Sequence, residues 1–273
     1  MDTEKIVNET SIYDGGIFYR LFEVAEAVRW KMSDYQWTSL KKGDVSPAWI
    51  AVARAALRGE LTTFNATERF FADFGADVDF TQWMSVWLYE ETKHPSAFVK
   101  YLDIFGEKFD SQFMLMGRQT IPFMPSRMGT LATNIVSEMI ASALYRNTSV
   151  QPTIDPVLKQ ICQNLSGDEA RHAASFYSFA KKRLSRSDNP KKDKLDALTV
   201  LYFWINPALN RRVGHPVNLS TNADPLIAQA VPHESSRAAI AETYRRACRV
   251  FGTLLGLELR DAKDVEQQIG AHA

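Results

Sequence analysis

Two copies of one four-residue pattern, Glu-x-x-His, stand 78 residues apart in this chain: Glu91-Thr-Lys-His94 and Glu169-Ala-Arg-His172. An acid precedes each, Glu90 and Asp168, and a lone glutamate lies 31 residues upstream of each motif, Glu60 and Glu138. The set 60/91/94 moved by 78 residues becomes 138/169/172 without adjustment. On an α-helix, positions i and i+3 share a face, so the glutamate and histidine of one motif can grip one ion together. Four carboxylates and two imidazoles at this spacing are what a two-metal site inside a four-helix bundle requires.

The spacing also suits two helix hairpins. Gly75 lies midway between Glu60 and Glu91, with Asp77 and Asp79 as candidate caps for the following helix. A turn there brings Glu60 and Glu91 to one height, roughly 22 Å from the turn at 1.5 Å per residue. The midpoint of Glu138 and Glu169 falls in Gln151-Pro-Thr-Ile-Asp-Pro156, where Asp155 suits an N-cap and Pro156 the first helical position.

Helical periodicity runs through most of the chain, with almost no period-2 alternation, so the expected class is all-α. An amphipathic segment spans Phe18–Trp30, and a loop follows over Trp37–Val45. Ser46 and Pro47 open a long helix to about Phe74, a second spans Phe80–Phe105 closed by Gly106, and a third, capped by Ser126, spans Arg127–Arg146. The fourth spans Pro156–Leu184. Between the second and third, Glu107–Pro125 is long enough to cross the bundle, with a short helix in Phe109–Met116. Ser185–Lys194 reads as a surface loop, followed by helices over Leu195–Ile205, from Asp224-Pro225, and over Ser235–Leu257. The whole, 1–273, reads as one domain: a metal-binding bundle over about 46–184, with further helices over about 190–270 packed outside it. Proline removes the backbone bond to the carbonyl four residues back. Pro95 therefore predicts a kink, bulge or break at the ligand pair Glu91/His94.

The chain has 45% hydrophobic residues and a formal net charge of zero, enough apolar mass for a sizeable core and no electrostatic reason to expect nucleic acid as partner. Two cysteines, Cys162 and Cys248, make no disulfide framework, the N-terminal stretch Met1–Ile17 lacks an apolar leader, and no apolar run approaches a membrane span. A cytoplasmic protein is the expectation. His215, His233 and His272 lie in Pro/Gly-rich or terminal stretches and read as surface residues.

Four buried carboxylates without counter-charge are prohibitive, and two divalent cations balance them. Mixed carboxylate and imidazole ligands without thiolate favour iron or manganese over structural zinc and over calcium. Glu91 and Glu169 are candidate bridges, Glu60 and Glu138 terminal ligands, and His94 and His172 supply one imidazole per ion. Asp168 and Glu90 are placed to accept the outer N–H of the histidine on the opposite hairpin.

The ordered set Glu…Glu-x-x-His…Glu…Glu-x-x-His resembles the ferritin-like dimetal carboxylate proteins. Tyr89-Glu-Glu-Thr-Lys-His94 with Phe98, and Gly167-Asp-Glu-Ala-Arg-His172, look most like the ligand-binding oxidases related to the ribonucleotide reductase small subunit. Arg58-Gly-Glu60 and Ile135-Val-Ser-Glu138 fit the same comparison, and the acyl-carrier-protein desaturases are similar too. The resemblance covers roughly residues 46–184. It implies a ferritin-like bundle with additional N- and C-terminal helices, holding two iron ions or a manganese–iron pair. Departures narrow it. Phe98 stands where radical-bearing reductase subunits carry a tyrosine, and no tyrosine follows Leu257. Thr63 and Thr133 replace the crosslinked valine and tyrosine of the oxidases, and Leu165 replaces the extra histidine of the arylamine oxygenases.

The expected function is an O2-activating dimetal oxidoreductase that desaturates, hydroxylates or otherwise oxidises a mostly apolar organic substrate, such as an acyl chain. That substrate would lie beside Thr63, Phe64, Thr67, Phe98, Thr133, Ser137 and Ala141, the helix positions flanking the ligands. An external electron donor is expected, because the chain has neither a cysteine cluster for iron–sulfur nor a Gly-x-Gly-x-x-Gly loop. The reading allows a homodimer. The alternative is a ferritin-like iron-storage protein. A metal-free helical binding module would leave the acids unexplained.

Overall fold

The computed structural model describes residues 16–116, 126–210, 213 and 225–272, without the side chains of Phe64 and Asn65. Among these the chain is helical, with no strand. The helices are α1 (Phe18–Val28), α2 (Pro47–Glu60), α3 (Thr63–Phe74), α4 (Val78–Ile104), α5 (Ser111–Met116), α6 (Arg127–Ser149), α7 (Pro156–Ser185), α8 (Pro190–Ile205), α9 (Pro207–Asn210), α10 (Ile227–Ala230), α11 (His233–Leu255) and α12 (Ala262–His272). Short 3-10 turns at Met32–Asp34 and Trp37–Ser39 occupy the stretch between α1 and α2, part of which had read as plain loop.

The helix starts follow local chemistry. Pro47 takes the first position of α2, and the Ser46 carbonyl accepts from the amides of Trp49 and Ile50, while its hydroxyl makes no cap bond. Asp77 caps α4 by accepting from the Phe80 amide, and Ser126 caps α6 by accepting from Gly129. Asp155 accepts from Val157 and Leu158 at the start of α7. Each satisfies amides that the first helical turn leaves without partners. Gly106 and Gly256, with φ of 89° and 70°, close α4 and α11 in the left-handed region that glycine enters freely.

Three sequence expectations change. The single helix expected to Phe74 is broken at Leu61–Thr62, directly after Glu60. There the Thr62 amide and hydroxyl both bond to the Gly59 carbonyl, at 3.1 and 2.7 Å, tightening the turn. A glycine followed by two β-branched threonines is a weak helix-forming stretch, and the break follows from it. Neither a break nor a bulge occurs at Pro95: α4 is α-helical from Val78 to Ile104 with Pro95 inside it. Pro95 and its neighbours Ala97 and Phe98 are buried, so packing on both sides holds the helix through the lost bond. Of the loop expected over Ser185–Lys194, only Arg186–Asn189 is non-helical: α7 keeps Ser185, and the Asn189 side chain accepts from Lys192 and starts α8 five residues earlier than expected.

α2 packs on α4, α6 on α7, and α4 meets α7. Two apolar clusters fill the interior. The first is an aromatic core of Phe70, Phe80, Trp83, Trp87, Phe176 and Phe179, with Trp83 and Phe176 ring centroids 4.9 Å apart. α8, α11 and α12 join it through Trp204, Phe251 and Val265. The second gathers Trp49, Leu57, Phe98, Leu102, Ile161 and Leu165. Along α4 and α7 the Glu-x-x-His residues fall between the segments that supply the two clusters, so a polar layer is held between two apolar ones. No described helix is long and apolar enough to cross a membrane.

Candidate metal centre

Glu60 ends α2, Glu91 and His94 lie one turn apart on α4, Glu138 is on α6, and Glu169 and His172 lie one turn apart on α7. All six are buried. Both imidazoles turn Nδ1 inward, with ring centroids 6.0 Å apart. His94 Nδ1 is 3.2 Å from Glu60, 3.6 Å from Glu91 and 3.6 Å from Glu169. His172 Nδ1 is 3.0 Å from Glu91 and 3.3 Å from Glu169. Glu91 sends Oε2 towards His94 and Oε1 towards His172, and Glu169 sends Oε1 and Oε2 the same two ways. Two groups of donors thus converge, Glu60/His94/Glu169 and Glu91/Glu138/Glu169/His172, and such buried groups can hold a metal ion.

The outer nitrogens are anchored across the hairpins. His94 Nε2 is 3.0 Å from Asp168 and His172 Nε2 is 3.0 Å from Glu90. Asp168 also accepts from the Trp30 indole at 2.8 Å and from the Arg171 guanidinium, which reaches Glu90 at 3.4 Å. Lys93 stands 4.1 Å over the Trp30 ring and donates to its carbonyl. An anionic partner on the outer nitrogen fixes which ring nitrogen faces inward and raises its basicity.

Without cations, protons balance the acids. Burial pushes Glu60 up to about 7, against the hydrogen bond from His94. Burial, then the charge of Glu169 and a carboxyl–carboxylate hydrogen bond to it, hold Glu138 well above the usual carboxylate range. Burial would raise Glu169 too, but hydrogen bonds from Glu138 and His172 keep it low. Burial disfavours both imidazolium forms, yet the surrounding carboxylates, led by Glu91 at His94 and Glu169 at His172, raise both well above the usual histidine value. Asp168 and Glu90 stay ionised: burial opposes this, and the hydrogen bonds from His94 and His172 outweigh it. The site is a set of negative charges held together by borrowed protons, and divalent cations replace such protons directly.

A cavity of about 210 Å³ adjoins Glu60, Glu91, Glu138 and Glu169. Of the seven expected substrate-side residues, Thr63, Phe98, Ser137 and Ala141 line it. Thr67 and Thr133 do not: Thr133 is buried and Thr67 half-buried, and the hydroxyl oxygen of each is enclosed without a partner. The Phe64 side chain lies outside the described residues. Thr63 donates to Glu91 Oε2 at 2.9 Å, a contact that the break after Glu60 sets up by restarting the helix at Thr63.

The sequence reading missed four neighbours. Tyr145 donates to Glu60 and lines the cavity. It stands seven residues after Glu138, two turns along the same face, and that periodicity could have found it. Asn134, four residues before Glu138 on the same helix, also lines the cavity. Arg171 lies inside the second motif and was readable as a partner for the acids. Trp30 carries no sequence signal for its bond to Asp168. Of the other histidines, His233 is exposed, His272 is half-buried against the Gln268 carbonyl, and His215 lies outside the described residues. Both cysteines are buried.

No protein-family model matches this chain, and no curated relative matches it in sequence.

Proposed function

We propose that this chain is a ferritin-like dimetal carboxylate oxidoreductase that activates O2 against a mostly apolar substrate held in the adjoining cavity. The observation that carries the reading is the paired reach of Glu91 and Glu169, each offering one oxygen to the neighbourhood of either imidazole. Glu60 and His94 would complete one ion's donors, Glu138 and His172 the other's. The donor set fits iron or manganese: hard carboxylates with one imidazole per ion, and no thiolate among them. Two such ions, when bound, supply the one-electron chemistry with O2 that amino-acid side chains lack.

The chain's own residues do the rest. Asp168 and Glu90 orient the imidazoles, and Thr63 and Tyr145 restrain Glu91 and Glu60 by hydrogen bonds. The two apolar clusters, one on each side of the acids, hold them in a largely apolar interior. Val52, Ala56, Ala66 and Leu144 give the cavity its apolar wall. Electrons would come from an external donor or from a two-electron substrate.

The test is oxygen uptake by ferrous-loaded protein, followed with the near-UV and visible spectrum. Uptake at a few O2 per chain with a new absorption supports the proposal. Inertness to O2 refutes it, and iron mineral at hundreds of ions per particle would put storage in its place.

A further inference from the structure

Among the described residues of the cavity wall, only Trp87 holds a fully enclosed polar side-chain atom without a partner. The residue is 2% exposed, and its indole Nε1 makes no hydrogen bond. Buried polar groups are nearly always paired, so a donor left open beside a cavity calls for an acceptor from outside the chain.

A second donor lies at the same depth. Trp87 stands one turn before Glu91 on α4, and Asn134 stands one turn before Glu138 on α6 and lines the same cavity. Both helices rise from the aromatic core, to which α4 gives Phe80 and Trp83 and α6 gives Met128 and Leu131. Trp87 and Asn134 are therefore each about 6 Å along the helix axis from the acids, on the aromatic side. The Asn134 NH2 gives one proton to the Thr130 carbonyl at 2.7 Å and keeps the other. The remaining donors are spent or remote. Thr62, Thr63, Ser137, Tyr145 and Thr148 each give their single proton to the protein. The Cys162 thiol belongs to the second apolar cluster, beyond the acids. Ser236 adjoins Ser235, which accepts from Asn147, about 20 Å along α6 from Asn134. Among the described residues, no lysine, arginine or histidine lines the space.

Two N–H donors at one depth suit one oxygen with two lone pairs, as a carbonyl has. A carboxylate's charge draws it instead to the divalent cations of the acid layer once these are bound. An uncharged carbonyl is matched by neutral donors without a counter-ion. From this end the cavity continues past the acids along α6 to Thr148, with Ala56, Leu144 and Val231 among its apolar walls.

We propose that the Trp87 indole and the Asn134 amide together hold a carbonyl oxygen of the bound molecule. That molecule is then an uncharged, mostly apolar carbonyl compound, its carbonyl end towards the aromatic core and its carbon chain passing the acids. This rests on the reading of the cavity as the substrate space of the metal centre. It adds which part of the substrate meets the acids: the carbons near the carbonyl, rather than a distant tail.

The test uses anaerobic purified protein, both metal-free and loaded with manganous ions, and two probes. One is methyl hexyl ketone; the other is the hydrocarbon of the same shape with CH2 in place of the oxygen. Trp87→Phe keeps a ring and loses the N–H. In calorimetric titration it should weaken the ketone about tenfold relative to the hydrocarbon. Comparing the ratio of the two probes between proteins cancels their different costs of leaving water. In infrared spectra of bound ketone labelled at its carbonyl carbon, the C=O stretch should lie lower in the parent than in Trp87→Phe or Asn134→Ala, because accepting hydrogen bonds weakens that bond. Should Trp87→Phe not fold, Asn134→Ala carries both readouts in the same direction. Failure of the ketone to bind the parent, equal weakening of both probes, or an unshifted stretch overturns the inference. Loss of a metal ion in Trp87→Phe would assign the indole to one of the acids and overturns it too. None of these readouts needs turnover. Inertness to O2 with these results intact would refute the oxidase reading alone, and oxygen uptake with an unshifted stretch would refute this one alone.

Discussion

Replacing Asp168 with asparagine should weaken one metal ion and spare the other. Asp168 Oδ2 lies 3.0 Å from His94 Nε2 and accepts from the Trp30 indole at 2.8 Å, and Oδ1 accepts from the Arg171 guanidinium. Every partner is a donor, so both carboxylate oxygens are occupied as acceptors. An asparagine side chain of the same shape has one acceptor oxygen, and its NH2 must face a donor whichever way it turns. The negative charge behind His94 is lost as well. Loss of such an outer partner typically lowers metal affinity 10- to 100-fold. That range corresponds to about 1.4–2.7 kcal/mol at the ion His94 would bind. His172 is backed by Glu90 instead and should keep its ion. Anaerobic ferrous titration against a competing chelator should show two near-equal affinities in the parent and one reduced by this factor in Asp168→Asn. Adding Glu60→Ala should weaken the same ion further, whereas adding Glu138→Ala should weaken both. Equal loss at both ions from Asp168→Asn alone, or none at either, would refute the crossed pairing of acids and imidazoles.

Metal loading should depend on pH with one sign. Glu60, held at about 7, together with Glu138 and both imidazoles, binds protons in the metal-free protein that the cations must expel, so affinity rises as pH rises through neutrality and falls steeply below it. A chelator-competition series from pH 6 to 8 that came out flat would contradict this. Phe176→Ala, in the aromatic core against Phe70, Trp83 and Trp87, should cost about 3–5 kcal/mol in chemical denaturation, the usual loss for a large buried ring; a loss below about 1 kcal/mol would mean that the core is not packed as described.

The acids and histidines were legible in the sequence because their spacing encodes geometry twice. The i, i+3 pairing sets the helix face, and the matched separation of Glu60 from Glu91 and Glu138 from Glu169 sets the depth in each hairpin. Caps such as Asp77, Ser126 and Asp155 were legible because the relevant bonds span two or three residues. What stayed hidden depends on tertiary contact. Pro95 argues locally for a break, and the helix runs through it with buried residues on either side. The break after Glu60 hangs on one threonine hydroxyl and a glycine carbonyl, within a stripe whose hydrophobic period runs straight through it. Trp30 meets Asp168 across 138 residues of chain, and no short-range pattern reports that. Thr67 and Thr133 were placed by helical angle alone, which gives the face but not whether neighbouring side chains close over it.

The central claim is that Glu60, Glu91, His94, Glu138, Glu169 and His172 together hold two cations, and metal analysis of the purified chain beside its variants tests it most directly. The account predicts about two iron or manganese ions per chain in the parent, the loss of much of one ion in Glu138→Ala, and little metal in the double variant His94→Ala/His172→Ala with its helical content kept. Stoichiometric metal retained by that double variant, or a parent that binds no metal when offered ferrous or manganous ions, would contradict it.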